Sequence, residues 1–169
     1  MPLIIGQMRI LKLIAMMSSL LFLLNCSKSE DVFYYLPQNI NKPFAIIYNQ
    51  KDGVKLEKNE KGNWTHYIPE NGILVLADDN PVPDKFYRQM YYIDNSGDTI
   101  KKIRNYHFDV YDSISIKKNE TYEIDSFYRE SENVKFQVII ITDDLSPKGQ
   151  EEARDSAAHL ANYIFKKYG

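Results

Sequence analysis

Side chains able to do chemistry are sparse in this 169-residue chain. Its three histidines, His66, His107 and His159, lie far apart, and none stands at a metal-ligand spacing such as His-x-x-x-His. There is no Gly-x-Ser-x-Gly elbow for a nucleophilic serine and no glycine-rich loop to cradle a phosphate. Besides Glu30-Asp31, carboxylates stand in three adjacent pairs, Asp78-Asp79, Asp143-Asp144 and Glu151-Glu152. Asp78-Asp79-Asn80 with Asp84 offers oxygen ligands but not the spacing of a calcium loop, so the pairs read first as solvated loop and helix acids. No catalytic residue, metal or cofactor is assigned. A hydrolase acting on glycan or peptide through two such carboxylates is the alternative, and it needs them at a set separation across one cleft.

The single cysteine is placed differently. Leu13 to Leu24 is apolar apart from Ser18 and Ser19, Arg9 and Lys12 precede it, and Cys26 follows directly after Asn25. A positive segment, a short apolar core and a polar exit make a secretory signal. As a helix, twelve residues reach about 18 Å, short of the roughly 30 Å of bilayer hydrocarbon. Met8 is a second possible start. Leu23-Leu24-Asn25-Cys26 resembles the lipobox of bacterial lipoproteins, with Asn25 bulkier than the usual small residue before the cysteine. The resemblance implies cleavage between Asn25 and Cys26, acylation (palmitate included) of Cys26, and a lipid bilayer as first partner. Ser27-Lys28-Ser29-Glu30-Asp31, a lysine followed by acids, resembles the tag that sends some lipoproteins to the outer face of the outer membrane. The expected address is the bacterial cell envelope, at the outer membrane, with the periplasmic or surface face left open.

Arg9 and Lys12 belong to the leader, so 19 of the 21 basic residues and all 23 acids lie beyond it, a net −4. No basic surplus exists to displace counterions, which disfavours nucleic acid. With Cys26 acylated no thiol remains, so the domain must hold by packing alone.

From Val32 to Thr142 the chain alternates with period two between turn signals, predicting strands at Val32–Leu36, Phe44–Tyr48, Val54–Glu57, Trp64–Ile68, Ile73–Ala77 (central in its sheet), Phe86–Ile93, Thr99–Ile103, Tyr106–Ile116, Tyr122–Phe127 and Val134–Thr142. Asp112 interrupts the apolar face of the run at Tyr106 and marks a bulge, an edge or a carboxylate in a core. After Ser146-Pro147 the period becomes helical, with Ala153, Ala157, Leu160, Ala161, Ile164 and Tyr168 on one stripe. The expected fold is mostly β (α+β): a single small antiparallel β-sandwich or β-meander domain, preceded by a signal peptide and closed by one amphipathic helix. Its parts are a signal peptide at 1–25, a lipidated cysteine and polar tether at 26–31, and a β-rich domain at 32–169 with the helix at about 147–168.

Tyr35-Leu36-Pro37, Ile46-Ile47-Tyr48-Asn49-Gln50-Lys51-Asp52-Gly53 and Tyr67-Ile68-Pro69-Glu70-Asn71-Gly72-Ile73-Leu74 resemble an uncharacterised bacterial lipoprotein domain, over roughly Phe33 to Ile103. These are turn and strand formers, so the likeness implies a fold and no activity. A Pro-x-x-Gly corner is also similar in style to transthyretin-like sandwiches.

One strand offers a binding surface. In Phe86–Ile93, Tyr87, Gln89 and Tyr91 share a face opposite Phe86, Met90 and Tyr92. Turned outward, they would meet a glycan or an envelope protein near the same membrane. The alternative is a sheet packed on both faces. The expected role is a non-enzymatic, membrane-anchored binding or interaction module, with a structural subunit of an outer-membrane complex as a further alternative.

Overall fold

The computed structural model describes residues 30–79, 86–106 and 120–169. The signal segment, Asn25, Cys26, the loop around Asp84 and the alternating run from His107 to Ile116 with Asp112 lie outside these residues. The described chain forms β1 (Glu30–Pro37), β2 (Phe44–Tyr48), β3 (Glu57–Lys58), β4 (Trp64–Tyr67), β5 (Ile73–Val75), β6 (Phe86–Ile93), β7 (Thr99–Asn105), β8 (Tyr122–Glu130), β9 (Lys135–Thr142) and α1 (Pro147–Tyr168).

Among the described residues all nine strands join one curled sheet, a half-barrel in the order β3-β4-β1-β6-β7-β8-β9-β2-β5. This corrects the expected antiparallel sandwich or meander. β1 runs parallel to both β4 and β6, β2 parallel to β5, and β7 parallel to β8, while the other pairs are antiparallel. Alternation reports which face a side chain takes and says nothing of the partner strand. Ile73–Ala77, expected at the centre, supplies β5 at the sheet's edge. It is apolar throughout because Leu74 and Leu76 enter the core inside the curl while Ile73 and Val75 pack on the helix side.

Two cores result. Val32, Tyr34, Leu36, Phe44, Ile46, Met90, Ile103, Ile139 and Ile141 fill the concave side. On the convex side, Ala45, Ile47, Phe136, Val138 and Ile140 meet Ala153, Ala157, Ala161 and Ile164 of α1. Alanines let the helix lie close on β9 and β2, and the Ser146 hydroxyl caps it by accepting from the Gly149 amide at 3.1 Å. Lys166 and Lys167 sit at its carbonyl end, where the helix dipole favours cations.

The two halves of the sheet meet at a short seam. β7 and β8 pair over only Arg104↔Tyr122 and Asn105↔Glu123. Side chains reinforce it. Arg88 of β6 pairs with Glu123 of β8, the two side chains 13% and 5% exposed, and also donates to the Ser126 hydroxyl at 3.3 Å. Asn105 donates to the other Glu123 oxygen at 2.9 Å, and Arg104 Nε meets Glu120 at 2.5 Å. A register shift between Glu123 and Asp125 lets Glu123 face the interior while Tyr122 and Ile124 face the helix.

Turn chemistry is strict at one glycine. A Cβ on Gly53 would lie 2.3 Å from the Leu76 backbone carbon, because the Val54↔Leu76 bridge draws the turn against the strand end. Gly62 is strained only by its φ of +81°, with nothing within 4 Å of an added Cβ. Gly53→Ala is expected to lower unfolding stability by about 2–3 kcal/mol and Gly62→Ala by about 1 kcal/mol. Urea titration of both variants checks the order.

Candidate functional site

The convex face of the sheet is shared between two occupants. α1 covers β9 and β2. On β4, β1 and β6 the same side carries aromatic rings. Phe33 and Tyr35 of β1 alternate with the buried Val32, Tyr34 and Leu36 and therefore point the other way. Parallel register sets Tyr67 of β4 beside Tyr35, Gln89 of β6 beside Phe33, and Tyr91 of β6 beside Tyr35. The rings lie near parallel: Tyr35 and Tyr67 at 5.0 Å and 21°, Phe33 and Tyr91 at 6.3 Å and 13°, Tyr35 and Tyr91 at 6.3 Å and 27°.

Tyr87, Gln89 and Tyr91 share this outward face. Tyr87 is 65% exposed and Tyr67 60%, whereas Gln89 and Tyr91 are half-buried against their neighbours. The Tyr91 hydroxyl donates to Gln89 Oε1 at 3.3 Å. Partial burial, then the adjoining Tyr67 and Tyr91, push the Tyr35 hydroxyl above its ordinary pKa, as hydroxyls gathered at one place do. Lys102 of β7 is paired in register with Tyr91, and Asp31 with Tyr87, so one charge of each sign flanks the rings. Phe33, Tyr35 and Tyr67 escaped the sequence reading. Their alternation was visible, but β1's place between β4 and β6 was not.

A second polar group lies inside the curl. His66 of β4 is fully buried and stacks on Tyr34, ring centroids 4.6 Å apart and 7° from parallel. Neither ring nitrogen meets a hydrogen-bond partner among the described residues. The Arg88 guanidinium lies 5.6 Å from the Tyr34 ring centroid, and burial pushes the Tyr34 hydroxyl up to about 12 despite that cation. Tyr48, also buried, donates to Gln137 at 3.4 Å. This group sits in a filled interior, where it packs and crosses the seam.

The acid pairs do not converge. Asp78 and Asp79 follow β5 at one end of the sheet, where Asp78 accepts from the Leu56 amide at 2.9 Å and Asp79 pairs with Lys135 at 2.8 Å. Asp143 and Asp144 follow β9 at the opposite end, and Asp144 accepts from the Ser146 amide at 2.9 Å. Glu151 and Glu152 are exposed on α1, as is His159. Among the described residues no three His, Cys, Asp or Glu side chains gather as a metal site requires.

No known protein-family model and no curated protein matches the chain. Its fold is similar to that of a Bacillus anthracis protein provisionally named a lipoprotein, in a crystal structure at 2.75 Å. The TM-score is 0.53 at 16% identity, covering 83% of this chain and 98% of that one. At that identity the likeness concerns the fold.

His66 gives the fold a pH dependence of defined sign. Burial, opposed by the Phe33 backbone and aided by Arg88, lowers its pKa from 6.5 to about 4. The unfolded chain therefore binds the proton first, as pH falls below 6.5. Stability is complete above that pH and should fall by about 3 kcal/mol on the way to pH 4. Urea unfolding at pH 7 and pH 4 should show this loss in the wild type and a correspondingly smaller one in His66→Phe. Equal losses in both proteins would show that the ring does not carry the effect.

Proposed function

We propose that this protein is a cell-envelope lipoprotein, held by acylated Cys26, whose domain binds an envelope glycan through the aromatic face of β4, β1 and β6. The observation that carries the binding half is that face: rings, hydroxyls and an amide on the part of the convex side that α1 does not cover. Rings supply apolar contact, and their hydroxyls and Gln89 supply directional bonds, the pairing that a sugar chain requires. Nucleic acid fits poorly with a net −4 domain. A peptide adding as a strand needs an open edge, and here the edges are short: β3 has two residues, and β5 has three, beside which Val54 already bonds Val75 and Ala77.

The anchor rests on the leader and the position of Cys26, and the name of the Bacillus anthracis protein of similar fold agrees with it. An outer-membrane address rests on the Lys-then-acid stretch after Cys26. A carboxylate hydrolase is disfavoured, since Asp78-Asp79 and Asp143-Asp144 lie at opposite ends of the sheet.

Two measurements test the reading. Metabolic labelling with a palmitate analogue should mark the wild type and leave Cys26→Ala unmarked; unlabelled wild type would remove the anchor. Proteolysis of intact cells then reads which face of the envelope displays the domain. Separately, detergent-solubilised wild type should co-sediment with purified peptidoglycan sacculi. A Tyr67→Ala/Tyr87→Ala/Tyr91→Ala variant with an unchanged urea midpoint should lose about tenfold in affinity, roughly 1.4 kcal/mol. Unchanged retention would exclude this face as the glycan site.

A further inference from the structure

Strand directions fix which residues share an end of the domain. β1, β4, β6 and β9 run one way, and β2, β3, β5, β7 and β8 the other. The start of β1 therefore shares an end with the starts of β4, β6 and β9 and with the close of β8. α1 returns to the same end, because its Phe165 ring meets Phe136, near the start of β9, at 4.9 Å.

Aromatic and basic side chains collect there. Tyr87 opens β6, Tyr128 lies near the close of β8 at 43% exposed, and Tyr163 near the close of α1 at 48%. Lys167 lies 5.6 Å from the Tyr163 ring centroid and 5.1 Å from that of Tyr168. Lys58 sits 4.4 Å over Trp64, the first residue of β4. Exposed tyrosine with lysine is a composition that settles at a bilayer interface, rings at headgroup level and ammonium groups reaching water. Glu130 and the Asp79–Lys135 pair set acids among these bases, and zwitterionic headgroups carry both signs.

We infer that this end of the domain, with Tyr128, Tyr163 and Lys167 exposed and Trp64 packed on the concave core at the same end, lies on the phospholipid headgroup layer. The inference rests on the proposed acylation of Cys26, which makes the contact unavoidable. Three residues separate Cys26 from Glu30, where β1 begins, and the four steps between them reach about 14 Å at most. With β1 entering from the membrane, the aromatic face of β4, β1 and β6 stands upright beside the bilayer, and the turn Asp94–Asp98 points away from it.

Trp64 is the chain's one tryptophan and stands at this end, a native reporter. The acylated full-length protein is reconstituted into phosphatidylcholine vesicles containing a headgroup-spin-labelled lipid. A second acylated protein carries Trp64→Phe with Asn95→Trp in the far turn. Both should float with the vesicles. Trp64 emission should fall at least twofold on adding the spin label, and Asn95→Trp emission should hardly change. Failure to float would overturn the anchor itself. Flotation with equal quenching at both positions, or none at Trp64, would keep the anchor and overturn the orientation.

Discussion

A buried ion pair holds the two halves of this protein together. Strands β3, β4, β1, β6 and β7 form one half of the sheet and β8, β9, β2 and β5 the other, and backbone pairing between them spans two residues on each side. Arg88 and Glu123 close that seam from the concave side, with Asn105 and Ser126 each adding a hydrogen bond to the pair. An ion pair removed from water recovers its desolvation cost only when its geometry and further hydrogen bonds are good. Asn105 on Glu123 and Ser126 on Arg88 supply such bonds here. The pair is also directional, which apolar packing is not, so it orients the two halves of the curled sheet across the seam.

The rest of the molecule follows from that curl. Bending the sheet encloses Tyr34, Tyr48, Phe44, Ile46, Ile139 and Ile141 in one interior, which a flat sheet of this size could cover on only one side. A single helix can then cover only part of the convex side, and it covers β9 and β2, where alanines admit it. The aromatic rings on β4, β1 and β6 take the other part. The proposed binding face is thus a consequence of how one helix divides a long curved surface, and the anchor proposed at Cys26 adds the direction in which that face stands.

Elements with a local signature were legible in the sequence. Ser146-Pro147 followed by the alanine stripe gave α1 its limits, and Asn59–Asn63 and Asp94–Asp98 gave their hairpins, where Asn59 and Asp94 accept from backbone amides inside each turn. Phe44–Tyr48 was legible as a strand. Its neighbours were not, because β2 pairs with β9 from the far end of the chain and with β5 in parallel. The same limit governed the candidate face. Tyr87, Gln89 and Tyr91 could be grouped within one strand by alternation, whereas Phe33, Tyr35 and Tyr67 join them only through parallel pairings that leave no periodic trace. The interior group was hidden for a related reason. Arg88, Glu123 and His66 look like ordinary polar residues until the curl turns all three inward.

The most direct test of this account is a double-mutant cycle across the seam, read as urea-unfolding free energies at pH 7. Arg88→Met and Glu123→Leu should each lose about 3–5 kcal/mol, because each strands the opposite charge in the interior. The two together should recover most of that loss, giving a large coupling energy between β6 and β8. Single losses below about 1 kcal/mol that simply add would contradict the account, since the curl would then be held by packing and not by this pair.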